Sequence, residues 1–170
     1  DEAVEIAQSY DMHDSAGTSY HYMVADASGR SAIFEWVAAD DDTDTDGSAR
    51  ELRVTYNDDD AAFGEVEAAA DYQWVTNFVL EPNYYASDDA KKGLDRYNEL
   101  YTRLSATDGI VADESAAMDV LAAVGRRSWN NDDANTITVH SVVYNLTDRV
   151  MYWVPNENFD DASAWITYKL

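Results

Sequence analysis

Between Tyr20 and Ala38 two short apolar runs flank the tetrapeptide Ala27-Ser28-Gly29-Arg30, and no other stretch restricts the fold as tightly. The turn chemistry is specific. Asp26 and Ser28 hydrogen-bond locally, and Gly29 takes a positive φ without a β-carbon penalty. Tyr20–Asp26 and Ser31–Ala38 therefore read as a β-hairpin. Side chains alternate across a strand, so Val24 faces opposite to Met23, and Ile33 opposite to Phe34. Both faces of the ribbon are apolar, which calls for a sheet covered on both sides.

The rest of the chain adds helices and further strands. Asp1 suits the cap of a short helix with Val4, Ile6 and Ala7 as its apolar positions, ending before Asp11. Glu51–Tyr56 reads as a strand between the acidic loop Asp40–Asp46 and the turn Asn57–Asp60. Trp74–Leu80 reads as another two-faced strand, with Trp74, Thr76, Phe78 and Leu80 on one side and Val75, Asn77 and Val79 on the other. Leu94, Tyr97, Tyr101 and Leu104 recur at helical spacing, with Ser87 as the N-terminal signal. A second helix runs from about Asp113 to Arg127 on the stripe Met118, Leu121 and Val124, with Arg126 and Arg127 complementing its dipole. After the polar turn Asn130–Asn135, Thr136–Asn145 and Arg149–Val154 form a second hairpin. Ala164–Leu170 closes the chain as an edge strand. The order strands, helices, strands predicts a single α+β domain over residues 1–170.

Charge narrows the partners. There are 34 acidic residues against 11 basic ones, a formal net charge of −23, yet 46% of the residues are hydrophobic. A core is affordable within that composition, and the acid falls in loops as a solvated surface. The same field repels phosphates and anionic lipid, so neither nucleic acid nor a membrane is an expected partner. No stretch resembles a signal peptide or a transmembrane helix, which makes a soluble chain the expectation and leaves its compartment undefined. With no cysteine there is no disulfide, thiolate metal site or cysteine nucleophile.

Few residue sets promise chemistry. Asp42-Thr43-Asp44-Thr45-Asp46-Gly47 matches the opening half of a calcium loop, but the bidentate Glu due at position twelve is Arg53. No metal and no cofactor are therefore expected. His140 and Ser141 are strand neighbours facing opposite ways and cannot form a nucleophile–base pair. His21 reads as a hydrogen-bonded core residue, and His13 lies in a polar turn. No three ligands have zinc-like spacing, and the Gly-x-Ser-x-Gly elbow is absent. Asn77 is a polar amide in an apolar run, so it either satisfies neighbouring backbone or presents its NH2 to a site. Arg96 flanks the apolar stripe of its helix, where a guanidinium can reach towards a carboxylate or carbonyl.

Four patches, in order along the chain, carry a resemblance. His21-Tyr-Met-Val-Ala-Asp26-Ala-Ser-Gly29-Arg-Ser-Ala-Ile-Phe-Glu35 resembles the "His-aromatic … Asp-x-x-Gly-x-Ser … Glu" hairpin of the choloylglycine hydrolases. These linear-amide C–N hydrolases include penicillin V acylases and bile-salt hydrolases. Trp74-Val-Thr76-Asn77-Phe78 is similar to their Thr-Asn segment, and Gly93-Leu-Asp95-Arg96-Tyr97 to their Arg-aromatic helix start. Thr138-Val-His-Ser141-Val-Val-Tyr144-Asn145 is similar to their penultimate hairpin.

The resemblance implies an αββα four-layer sandwich of mostly antiparallel sheets and an N-terminal cysteine nucleophile. The α-amino group of that cysteine, with an unperturbed pKa of about 7.7–8.0, would serve as its base. By resemblance Asn77 is the active-site asparagine near the oxyanion, and Arg96 the arginine that holds the polar network. The nucleophile, and the Arg and Asp that follow it in the family, have no counterpart here. The expectation is thus a C-terminal portion of the hydrolase domain, inactive alone and partnered by the segment or subunit that carries the cysteine. The substrate expected is a small-molecule amide such as an N-acyl amino acid, a penicillin V-like amide or a bile-acid conjugate, with Tyr84 and Tyr85 placed to line an acyl pocket or pack in the core. Acyl transfer on the same fold is one alternative. A non-catalytic acidic binding or surface domain is another. Sheets missing their neighbouring strands would expose apolar surface and favour a homo-oligomer.

Overall fold

The structure is a computed structural model. It describes residues 2–10, 20–39, 49–57, 69, 71–81, 84–86, 88–127 and 136–170. The class is α+β, with two antiparallel three-stranded sheets. The chain divides into two compact units, Asp1–Tyr97 and Asn98–Leu170.

The first unit holds helix α1 (Glu2–Gln8) and strands β1 (His21–Ala25), β2 (Ser31–Ala38) and β3 (Arg50–Tyr56), in the sheet order β1-β2-β3. The β1–β2 turn forms as its residues dictate. Gly29 has φ +87°, and the Asp26 carboxylate accepts from Ser28 N at 2.8 Å and from Ser28 Oγ at 2.5 Å. Those two bonds hold the Asp26 carboxyl below the usual carboxylate range. Middle strand β2 is covered on both faces: residues 31–37 are all buried. On one face Ala32, Phe34 and Trp36 pack with Val4 and Ala7 of α1, flanked by Val24, Leu52, Val54 and Tyr56. Ile6, counted among the apolar positions of that helix, points to solvent instead, because a two-turn helix can turn only a narrow stripe to the sheet.

The other face of the sheet carries the segment 72–81. Residues 74–80 do not form a strand, contrary to their pattern. Trp74, Phe78, Val79 and Leu80 are buried nonetheless. Their backbone is satisfied by side chains in place of a β-ladder: Leu80 N donates to Glu35 Oε1 at 2.8 Å, and Val79 N donates to Tyr85 Oη at 3.0 Å. Apolar alternation alone cannot distinguish a strand from such a buried extended segment. Gln73 fastens the start of the segment, donating to Thr55 O at 2.9 Å and accepting from Ser31 Oγ at 2.7 Å.

Helix α2 (Leu94–Ser105) starts well after Ser87, which lies outside the described residues; the division between the units falls within it. In the second unit α3 (Glu114–Ala123) starts where expected, and Asp113 caps it, its carboxylate accepting from Ala116 N at 2.8 Å. The helix ends at Ala123, short of Arg126 and Arg127. Strands β4 (His140–Asn145), β5 (Val150–Pro155) and β6 (Ile166–Lys169) form the second sheet in chain order, with β6 at the edge. Glu114 of α3 accepts from Asn145 Nδ2 at 2.7 Å and bonds Tyr152, so the helix lies on the face those two residues share. By alternation and register the opposite face carries Val142, Tyr144, Met151, Trp153, Ile166 and Tyr168. Tyr144, Ile166 and Tyr168 there are exposed. The Asp40–Asp46 loop, His13, the cap residue Asp1 and the turn 130–135 lie outside the described residues.

Candidate functional site

The two residues singled out from the sequence meet. Asn77 Oδ1 accepts a hydrogen bond from Arg96 Nη2 across 19 positions of chain. The contact rests on four aromatic side chains. Trp74 stacks on Tyr72, and Tyr97 packs against both Trp74 and Phe78 with ring centroids 5.1 Å apart. Trp74 Nε1 also donates to Tyr97 O at 3.1 Å. Because Tyr97 follows Arg96 and Trp74 precedes Asn77 by three residues, this packing brings the start of α2 against the Asn77 segment.

Two residues that sequence reasoning gave no role complete the junction. Thr76 Oγ1 donates to Gly93 O at 2.9 Å. Gly93 has φ +87°, and a β-carbon on it would lie 2.9 Å from Arg96 Nη2, 3.1 Å from Thr76 Oγ1 and 3.2 Å from Asn77 Oδ1. Only glycine permits both that backbone and that approach. A glycine immediately before a helix is an ordinary capping residue, so the sequence carried no signal that Gly93 also serves the junction.

The Asn77 side chain is exposed, whereas Arg96 is half-buried. With its carbonyl oxygen bound to the guanidinium, the exposed Asn77 side chain keeps its NH2 as its donor end, with no hydrogen bond from it among the described residues. Accepting a charge-assisted bond at oxygen polarises the amide and strengthens its N–H donors. The arrangement can present a fixed donor to a developing negative charge.

His21 stands opposite Glu35 in the β1–β2 register, its Nδ1 2.7 Å from Glu35 Oε1, and the Glu35 side chain is 2% exposed. His21 is thus a half-buried neighbour of a buried carboxylate. Tyr84 and Tyr85 pack edge to face at 5.0 Å, with Lys91 Nζ 5.6 Å from the Tyr85 ring centre. Burial pushes the Tyr85 phenol up. His140 is exposed at the start of β4, and its strand neighbour Ser141 is half-buried. Among the described residues no group of three or more His, Asp or Glu side chains could hold a metal ion. Nor, among them, is any helix long and apolar enough to cross a membrane.

No family model, curated protein or solved structure matches this chain.

Proposed function

We propose that this chain is part of an amidase that hydrolyses linear amide C–N bonds of N-acylated small molecules, with Asn77 donating to the oxyanion and Arg96 orienting it. The observation that carries the reading is the Asn77–Arg96 bond, which commits the amide oxygen of an exposed asparagine to the guanidinium and leaves its NH2 as the donor. A structural amide that only satisfied backbone would be buried against it; Asn77 is exposed.

In this reading a cysteine supplied from outside these 170 residues attacks the amide carbonyl, since the chain has none. The carbonyl oxygen gains charge as the tetrahedral intermediate forms, and a donor already in place stabilises it without reorganisation. The leaving amine takes a proton and water then releases the acyl group. Residues 1–170 by themselves turn nothing over. The αββα architecture belongs to the same proposal. In such a sandwich each sheet offers one face to helices and the other to a second sheet. The second sheet here, with α3 on one face and six apolar residues on the other, has the surfaces that arrangement needs.

The test restores the cysteine-bearing segment, by fusion or by mixing two chains. Asn77→Ala should then lower kcat by roughly 10²–10³, about 2.7–4 kcal/mol, with little change in KM. Asn77→Asp should be at least as harmful, because a carboxylate would face the growing negative charge. Because Asn77 is exposed, the melting temperature should barely move. Normal turnover in folded Asn77→Ala would remove the residue from the mechanism.

A further inference from the structure

Asn77 lies on a segment that belongs to no sheet, yet a donor must be held still to stabilise an oxyanion. On its N-terminal side Thr76 and Trp74 are tied to Gly93 and Tyr97. On its C-terminal side two successive amides, Val79 N and Leu80 N, are taken by side-chain acceptors, Tyr85 Oη and Glu35 Oε1. Glu35 sits in the middle strand, with His21 and Arg53 as its cross-strand neighbours. A carboxylate so deeply buried is costly where leucine would pack without penalty. Its Oε2 has no hydrogen-bond partner among the described residues, whereas Oε1 stands 2.8 Å from Leu80 N and 2.7 Å from His21 Nδ1, so Oε1 is the working atom and the Leu80 amide is the one of its two neighbours that lies on the Asn77 segment.

We infer that Glu35 and Tyr85 are positioning residues for the Asn77–Arg96 pair, clamping the chain two and three residues beyond Asn77 in place of a β-ladder. Their geometric role stands on these contacts alone; its consequence for turnover rests on the amidase reading. The clamp works by accepting hydrogen bonds. A side chain that keeps an acceptor at position 35 keeps the clamp, and an apolar one of similar size releases it.

The experiment uses the full chain labelled with nitrogen-15 and needs neither substrate nor cysteine. Three variants are compared: Glu35→Gln, Glu35→Leu and Tyr85→Phe. The readouts are amide exchange at Val79 and Leu80, the side-chain NH2 resonances of Asn77, and the thermal midpoint. Glu35→Leu should speed exchange at Leu80 at least tenfold and move the Asn77 NH2 pair towards the position of a free amide. Tyr85→Phe should do the same through Val79. Glu35→Gln should leave the Asn77 pair where it was. A role in stability only would lower the midpoint without moving the Asn77 resonances. If Glu35→Leu does not fold, Tyr85→Phe decides alone. An unmoved Asn77 pair in a folded Glu35→Leu or Tyr85→Phe variant overturns the inference, as does a displaced pair in Glu35→Gln. Since no turnover is measured, failure of the amidase reading and failure of the clamp are separate results.

Discussion

A β-carbon on Gly93 would stand 2.9 Å from Arg96 Nη2, so the glycine and the arginine three residues later occupy their places jointly. Two costs then fall on Gly93→Ala: a positive φ imposed on an L-residue, and displacement of the guanidinium. Gly29 shares the φ of +87° but has nothing within 4 Å of the added carbon. Each substitution should therefore carry a backbone cost of about 1–2 kcal/mol. Gly93→Ala alone should also disturb Arg96. Denaturant unfolding of the two variants measures the difference; equal losses of stability would show that the close approach at Gly93 is relaxed without cost.

Arg96→Lys keeps the charge but replaces a planar fork with a point donor on a different stem. In the completed enzyme it should lower kcat roughly 10–100-fold, the equivalent of about 1.5–3 kcal/mol for a charge-assisted hydrogen bond. The Asn77→Ala,Arg96→Lys double variant should be little worse than Asn77→Ala alone, because the arginine acts through the asparagine. Fully additive losses in that cycle would give Arg96 a separate role.

In the second unit the buried Glu157 carboxylate accepts from Arg127 N with both oxygens, at 3.0 and 2.8 Å. Glu157 itself has φ +55° in the turn after β5. Glu157→Ala should cost about 1–3 kcal/mol, since it strips the Arg127 amide of its acceptor. Glu157→Gln keeps one oxygen and should cost less. A thermal melt that ranks glutamine below alanine would contradict the acceptor role.

Asp26 gives the β1–β2 turn an acid limit. Its carboxyl is held below the ordinary value of 3.8 by the two bonds from Ser28, so the folded state prefers the charged form. The stability this adds is fully present above the unfolded pKa and is lost as pH falls through the folded one. Ser28 and Gly29 amides should lose protection in that window, below pH 3.8. Asp26→Asn, which keeps a neutral acceptor, should remove the pH dependence of those two amides. Amide exchange followed from pH 5 downward checks it; an unchanged acid limb in Asp26→Asn would place the titration elsewhere.

Much of the architecture was legible locally. The turn Asp26–Arg30 needs only Asp26, Ser28 and Gly29 to form, and the structure has the expected bonds and the expected φ. Apolar residues on both faces of the hairpin marked a ribbon covered on both sides; that holds for β2, where residues 31–37 are buried, but not for β1, where Tyr22 and Met23 are exposed because β1 is the edge strand. Helix α3 starts beside Asp113 as expected but ends at Ala123, and the second hairpin and its edge strand form where expected except that β4 starts at His140, four residues after Thr136. These features depend on neighbours within one turn or one strand, so the residues themselves suffice.

Tertiary structure alone decided what became of Trp74–Leu80. Its alternation matched a strand, but a strand exists only if another chain segment supplies ladder partners. Here Glu35, 45 residues upstream, and Tyr85 take the amides instead. The same long-range packing, Trp74 and Phe78 against Tyr97, brings Asn77 to Arg96 with Gly93 close between them. Short-range periodicity fixes which face of a segment is apolar. Which distant side chain satisfies its backbone depends on where the chain returns, and that is settled only when the core packs.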